Sequence, residues 1–169
     1  MLVIFGGLPG SGKTTTALSL AKRLQAVHVR VDTIEQAFRD SDMLKAEVGP
    51  AGYMAAYGIA EDNLRLGRTV IADSVNPIGI TRNAWLQVAK RAGTRAIEVE
   101  VVCSDKVEHR RRAETRVTDV EGLVKPSWDE IVNRTYEDWG GRQIVVDTAY
   151  KSADDAVAEL VALLEREVL

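Results

Sequence analysis

GGLPGSGKTT, residues 6–15, is the stretch whose reading decides the fold. It follows the short apolar run Leu2-Val3-Ile4-Phe5 and leads into Thr14–Leu24, where Ala17, Leu18, Ala21 and Leu24 recur at helical spacing. A continuous run of strand formers only a few residues long suits a strand buried on both faces. The loop between strand and helix reads Gly7-Leu8-Pro9-Gly10-Ser11-Gly12-Lys13-Thr14, which fits G-x-x-x-x-G-K-[ST]. Such a loop wraps backbone N–H groups around phosphate, and glycine permits the positive φ that the wrapping needs. The start of the following helix adds its partial positive charge. Gly7, Pro9, Gly10, Ser11 and Gly12 would form the cradle. Lys13 would reach the β- and γ-phosphates, Thr14 would ligate Mg²⁺, and Thr15 would touch the α-phosphate. On an exposed loop, Lys13 is expected to serve the nucleotide alone, so that Lys13→Ala abolishes ATP turnover and leaves the fold intact. The dinucleotide fingerprint G-x-G-x-x-G does not fit, because Thr15 stands where its third glycine belongs.

The rest of the chain agrees with a nucleotide-binding α/β protein. At 169 residues, 46% of them apolar, it is long enough for one domain with a sizeable core, expected to span residues 1–169. Strand-like runs at Leu2–Gly6, Val27–Val31, Thr69–Ala72, Ala96–Cys103 and Gln143–Val146 alternate with helical patterns. The helices are expected over Lys13–Leu24, Thr33–Phe38, about Leu44–Leu66, Ile78–Ala92, Lys106–Arg116, Trp128–Asp138 and Ala153–Glu167. This alternation predicts a parallel sheet with helices on both faces. No apolar stretch approaches the ~20 residues that cross a bilayer, and no charged-then-apolar leader precedes the first strand. The one cysteine, Cys103, has no internal partner, which points to a reducing cytoplasmic setting and a small buried strand residue. Lys and Arg total 22 against 25 Asp and Glu, a net charge of −3, which argues against a broad nucleic-acid surface.

Ligands of parallel α/β sheets bind at the carboxyl ends of the strands. The second strand, VHVRV, runs into Asp32, and the third, TVIA, runs into Asp73. Asp73 closes an apolar run as a Walker B acid does and would hold Mg²⁺ directly or through water. Asp32 would accept the proton of an acceptor hydroxyl. The competing reading for both acids is helix capping. Four arginines crowd HRRRAETR, residues 109–116. Arg112 and Arg116 fall i, i+4 on one helix face and suit the charge that spreads over a transferring phosphoryl group. Arg110 and Arg111 point elsewhere, and a solvated basic face is the alternative for the whole cluster. This helix and the irregular segment Val117–Pro126 would form a lid over residues 105–126. His28 reads as a satisfied strand histidine and His109 as a structural or surface residue. Tyr53 and Tyr57 read as core or as the wall of an acceptor pocket.

GLPGSGKTT, VD after strand two, IADSVNP after strand three, HRRRAETR and the segment WDEIVNRTYEDW through RQIVVDTA together resemble small P-loop kinases of the AAA-domain-33 type. Chloramphenicol phosphotransferase, gluconate kinase and the kinase domain of polynucleotide kinase are relatives of that type. The resemblance spans nearly the whole chain. It implies a three-layer P-loop NTPase fold with a five-stranded parallel sheet of order 2-3-1-4-5 and a helical lid. It also implies transfer of the ATP γ-phosphate to a hydroxyl of a small molecule. Asp32 takes the position of the family's catalytic acid, Arg112 and Arg116 those of its lid arginines, and Asp73 and Asn76 that of its DxxN segment. Glu35 departs from the polynucleotide kinase pattern, where an arginine that holds the acceptor's phosphate stands three residues after the catalytic acid. This weighs against nucleic acid as acceptor. A nucleoside, nucleotide or polynucleotide 5′-hydroxyl kinase and an ATP-hydrolysing switch without an acceptor are the alternatives.

Overall fold

The computed structural model describes residues 1–41 and 47–166. The run that opens the chain becomes β1 (Leu2–Gly6), fully buried along its length. Because side chains alternate along a strand, Val3 and Phe5 enter one core, where they meet Ala17, Leu20 and Ala21 of α1 (Lys13–Leu24) and Leu160 of α7 (Ala153–Arg166). Leu2 and Ile4 enter the other, against Ala56, Ala60 and Leu64 of α3 (Ala51–Arg65) and Trp85 and Val88 of α4 (Gly79–Arg91). These two cores make the three layers. The buried face of α1 is Thr16, Ala17, Leu20 and Ala21, whereas Leu18 and Leu24 are about one-third exposed.

β1 lies at the centre, with β3 (Val70–Asp73) on one side and β4 (Ala96–Val102) on the other. β2 (Val27–Arg30) flanks β3, and β5 (Ile144–Asp147) flanks β4. All pairings are parallel and the order is 2-3-1-4-5, as the resemblance implied. A parallel sheet puts every strand's carboxyl end on one edge. That edge receives Gly6, Arg30, Asp73, Val102 and Asp147.

Three helical expectations change. β2 stops at Arg30, and α2 (Val31–Asp40) begins at once, so Asp32 sits in the first helical turn instead of at a strand end. A carboxylate there is favoured by the helix dipole. The N-cap of α2 is Arg30 and that of α4 is Ile78, so neither Asp32 nor Asp73 is an N-cap. Of the long helix expected over Leu44–Leu66, residues 44–46 lie outside the described residues. The helix that follows starts only at Ala51, after Gly49 with φ +52° and Pro50 at the N-cap. The helix expected over Trp128–Asp138 is a single five-residue helix, α6 (Trp128–Val132), closed by a Ser127–Glu130 capping box. Further on, the chain bonds to the start of α4. Glu137 N–H donates to Pro77 O at 2.8 Å, its carboxylate accepts from Gly79 N–H at 2.6 Å, and Arg82 donates to Glu137 O at 3.1 Å. Tertiary partners thus replace helical ones for this segment.

Candidate active site

Residues 7–12 turn tightly between β1 and α1. Gly10 (φ +86°) and Gly12 (φ +92°) hold backbone shapes that cost an ordinary side chain strain. Both are also pressed from outside. A Cβ on Gly10 would stand 2.9 Å from the Ala113 Cβ, and one on Gly12 would stand 3.2 Å from the Thr148 Cγ2. Ala113 belongs to α5 (Lys106–Thr115), which is seated directly on the loop. His109 of the same helix donates its Nε2–H to Pro9 O at 2.9 Å and packs edge-on against Trp128. His109 is thus structural, and it ties α5 to residues 7–12. From the other side, the Thr148 hydroxyl donates to Ser11 O at 2.7 Å. Ser11 Oγ is buried in this cradle without a hydrogen-bond partner among the described residues. The first N–H groups of α1 have no intrahelical acceptor, as at any helix start. Open amides at the start of α1 suit a phosphate, whereas Ser11 Oγ lies against Gly7 and does not line the cavity beside the loop.

Lys13 differs from the sequence-based expectation. It is not exposed: it is 7% accessible, and its ammonium is ion-paired to the Asp73 carboxylate, which is wholly buried. The second Asp73 oxygen accepts from His28 Nε2–H at 3.2 Å. Burial alone would raise the Asp73 carboxyl pKa. The Lys13 charge and the hydrogen bonds from His28 and Lys13 overcome burial and hold it far below the usual carboxylate range. Both Asp73 oxygens are thus engaged. Asn76, three residues on, is buried with φ +48°, and its amide donates to Phe5 O at 2.7 Å, tying the segment after β3 to β1.

A cavity of about 730 Å³ runs from the loop along α2 to the lid. Gly10, Gly12, Lys13, Thr14 and Thr15 line its phosphate end, and Arg112 and Arg116 overhang it. Asp32, Glu35, Arg39 and Arg134 line the far end with Leu123 and Pro126. Arg112 and Arg116, the two arginines expected of a lid, do not share a helix face. Arg112 lies within α5, whereas Arg116 is the residue past its end, with extended backbone (ψ 137°). Both reach the cavity all the same. Arg112 donates to the Glu108 carboxylate at 2.7 Å, to Thr148 Oγ1 at 2.9 Å and to Thr148 O at 3.1 Å. Arg116 Nε is buried without a hydrogen-bond partner among the described residues. Burial lowers the Arg116 guanidinium pKa, Asp32 opposes that effect, and Arg30 adds to it. Arg110 and Arg111 face solvent, paired with Glu114 and Glu108.

Asp32 is about one-third exposed and stands 4.0 Å from Arg30 Nε. Arg30 turns its other end to Asp119 of the lid at 2.6 Å. Glu35, one turn after Asp32, accepts from Arg39 at 3.2 Å. Burial raises its carboxyl pKa, with the Arg39 hydrogen bond in opposition. Tyr53 and Tyr57 belong to the core. The Tyr53 hydroxyl accepts from Asn76 N–H at 3.3 Å, and Tyr57 packs edge-on to Trp85 at 4.6 Å. Cys103 is buried just past β4.

Sequence reasoning missed Arg30, Asp119 and Thr148. Thr148 was within its reach: it follows β5 on the same carboxyl edge that pointed to Asp32 and Asp73. Arg30 and Asp119 had no readable signal, because their pairing joins β2 to a lid segment 89 positions away.

As for metal, no group of three or more His, Cys, Asp or Glu among the described residues is placed to hold an ion by itself. The Thr14 hydroxyl, which lines the cavity, and the Asp73 carboxylate, paired to the neighbouring Lys13, are oxygen donors of the kind Mg²⁺ prefers when phosphates and waters complete its shell. No helix among the described residues is long and apolar enough to cross a membrane.

Comparison with known proteins agrees with this architecture. A protein of Aeropyrum pernix named "Probable adenylyl-sulfate kinase" is 30% identical over 181 residues, covering 98% of this chain and 92% of its own. Among solved structures, Kti12 of Chaetomium thermophilum in complex with ADP-AlF3 superposes with a TM-score of 0.71 at 24% identity, covering 98% of each chain. The APS kinase CysC of Mycobacterium tuberculosis, in complex with AMPPNP and APS, superposes with a TM-score of 0.70 at 19% identity, covering 97% of this chain and 96% of its own. The sequence model of the AAA domain family matches residues 2–137, which run from β1 past the lid to the segment bonded to α4. The chain therefore belongs to the AAA domain family, as a kinase-like P-loop domain.

Proposed function

We propose that this chain is an ATP- and Mg²⁺-dependent phosphotransferase that moves the γ-phosphate of ATP to a hydroxyl of a small molecule. The observation that carries the reading is that Asp32, the phosphate loop, Arg112 and Arg116 line one cavity. Cavities of this size hold a nucleotide or drug-sized ligand. In this reading Lys13 leaves Asp73 for the β- and γ-phosphates. Arg116, whose Nε has no hydrogen-bond partner among the described residues, and Arg112 neutralise the equatorial oxygens of the moving phosphoryl group. The acceptor oxygen forms the new bond to the γ-phosphorus as the bond to the ADP oxygen breaks, and the acceptor proton passes to the Asp32 carboxylate. Thr14 and Asp73 would hold Mg²⁺, Asp73 through water, and the ion would supply further charge neutralisation.

The acceptor end favours a hydroxylated molecule with no anionic group next to its reactive oxygen. Asp32 and Glu35 face the reactive oxygen from one helical turn, Arg39 and Arg30 are already engaged by Glu35 and Asp119, and Arg134 is left as the cation for a more distant part of the acceptor. Adenylyl sulfate, named for the relative, is anionic and belongs in the test as a contrasting acceptor. The test measures ADP release with ATP alone, and then with adenylyl sulfate, a 5′-hydroxyl oligonucleotide, and panels of neutral sugars, polyols and hydroxylated antibiotics. A neutral hydroxylated compound is expected to raise release at least tenfold. Equal release with and without any acceptor would refute the kinase reading and favour an ATP-hydrolysing switch.

A further inference from the structure

His28 has a duty beyond filling a strand position. Its ring leaves β2 and meets the Asp73 carboxylate, which has no solvent exposure. The Asp73 oxygens are divided: Lys13 holds Oδ1, and His28 Nε2–H holds Oδ2 at 3.2 Å. The two partners are not equivalent. Lys13 lies on the phosphate loop at the head of α1, and the proposed reaction takes its ammonium to the nucleotide. His28 is fixed by the pairing of β2 with β3, where Val29 stands opposite Ala72 and Arg30 opposite Asp73. Once Lys13 departs, one hydrogen-bond donor still holds the carboxylate in a fixed orientation. His28 is that donor. By holding Oδ2 it also decides which oxygen turns toward Thr14 and the metal side. The far edge of the ring reaches a second cavity of about 300 Å³, walled by Thr14, Leu18, Thr33 and Ile59, so it is not squeezed by the core.

We infer that His28 is a positioning residue for Asp73, clamping Oδ2 so that Oδ1 is presented to Mg²⁺ when Lys13 moves to the phosphates. The inference rests on the reading of Asp73 as the metal-side carboxylate. Hydrogen-bond partners that orient metal-site ligands are typically worth 10- to 100-fold in metal affinity.

The test is calorimetric titration of AMPPNP into the full chain, in excess Mg²⁺ and again in EDTA. The ratio of the two affinities is the metal's contribution. His28→Val, which suits a strand, is expected to lower this ratio about tenfold while leaving the EDTA affinity near the parent value. His28→Gln, which restores an N–H donor, is expected to recover the ratio to within about threefold of the parent. His28→Val on top of Asp73→Asn is expected to add nothing. A His28→Val protein that keeps the parent ratio, or that loses affinity equally with and without metal, overturns the inference. If Asp73→Asn leaves the ratio unchanged, the reading of Asp73 fails first and the inference fails with it. If His28→Val does not fold, imidazole ¹H–¹⁵N spectra of the unaltered protein decide. The chain has only two histidines, His28 and His109. Adding Mg²⁺ to the AMPPNP-saturated protein is expected to shift the His28 Nε2–H signal and leave that of His109 in place. A His28 signal that does not move overturns the inference.

Discussion

Lys13→Ala is expected to destabilise the protein as well as to stop it binding nucleotide. The ammonium and the carboxylate it meets are 7% and 0% exposed, so solvent screening does not weaken the pair. Removing one member of a buried ion pair leaves an uncompensated charge and costs about 3–5 kcal/mol. Asp73 keeps its His28 hydrogen bond, which places the cost near the lower end, about 3 kcal/mol. For a chain of this size each kcal/mol lowers Tm by about 2–4 °C, so a drop of about 6–12 °C is expected. The assay is urea and thermal unfolding by circular dichroism in EDTA without nucleotide, for the parent, Lys13→Ala, Asp73→Asn and the double variant. Asp73→Asn removes the charge that Lys13→Ala strands. The double variant is therefore expected to be more stable than Lys13→Ala, with a coupling energy of about 2 kcal/mol. A Lys13→Ala protein as stable as the parent, together with a coupling below ~0.5 kcal/mol, would refute the claim that this lysine is a structural counter-ion in the free protein.

Gly10→Ala is expected to cost about 2 kcal/mol from the φ of +86° and from contact with Ala113, and to weaken ADP binding; parent-like urea unfolding would show that α5 is not seated as described. Arg112→Ala and Arg116→Ala are each expected to lower kcat about 10²-fold while weakening ATP binding much less, whereas Arg110→Ala, which loses only an exposed pair with Glu114, stays near the parent. Steady-state kinetics with the best acceptor check this, and an Arg110→Ala defect equal to the others would reduce the cluster to a general electrostatic effect. Glu35→Gln is expected to raise Tm at pH 7. Burial raises the Glu35 carboxyl pKa, so its ionisation opposes folding once pH passes the folded-state value, and this penalty is absent below the unfolded value of ~4.3. The Tm gain should therefore vanish near pH 4, and a gain constant from pH 4 to pH 8 would assign it to something other than this charge.

The resemblance to P-loop kinases and the alternation of short apolar runs with amphipathic stretches were legible before any coordinate. They stand because their causes are local. Leu2–Phe5 is apolar at every position, so it must be covered on both faces, and the only economical covering is a helix layer on each side. Gly10 and Gly12 signal left-handed backbone by their chemistry alone. Element ends were less legible. Whether residues 133–138 stay helical depends on Pro77, Gly79 and Arg82, more than 50 positions away, and a short helix without such partners is marginal. The placement of charge was least legible of all. The sequence contains Lys13, His28 and Asp73 as three separate letters with three separate readings. Only the parallel pairing of β2, β3 and β1 brings them onto one buried carboxylate, where a low local dielectric makes their arrangement count. The same holds for Arg30 and Asp119, which meet because the segment after α5 folds back to β2. Sequence by itself determined the fold and where its glycine-rich loop lies, since both follow from patterns a few residues long. Tertiary structure alone decided what each charged group touches before the nucleotide arrives, since that depends on distances between strands that are remote in the chain.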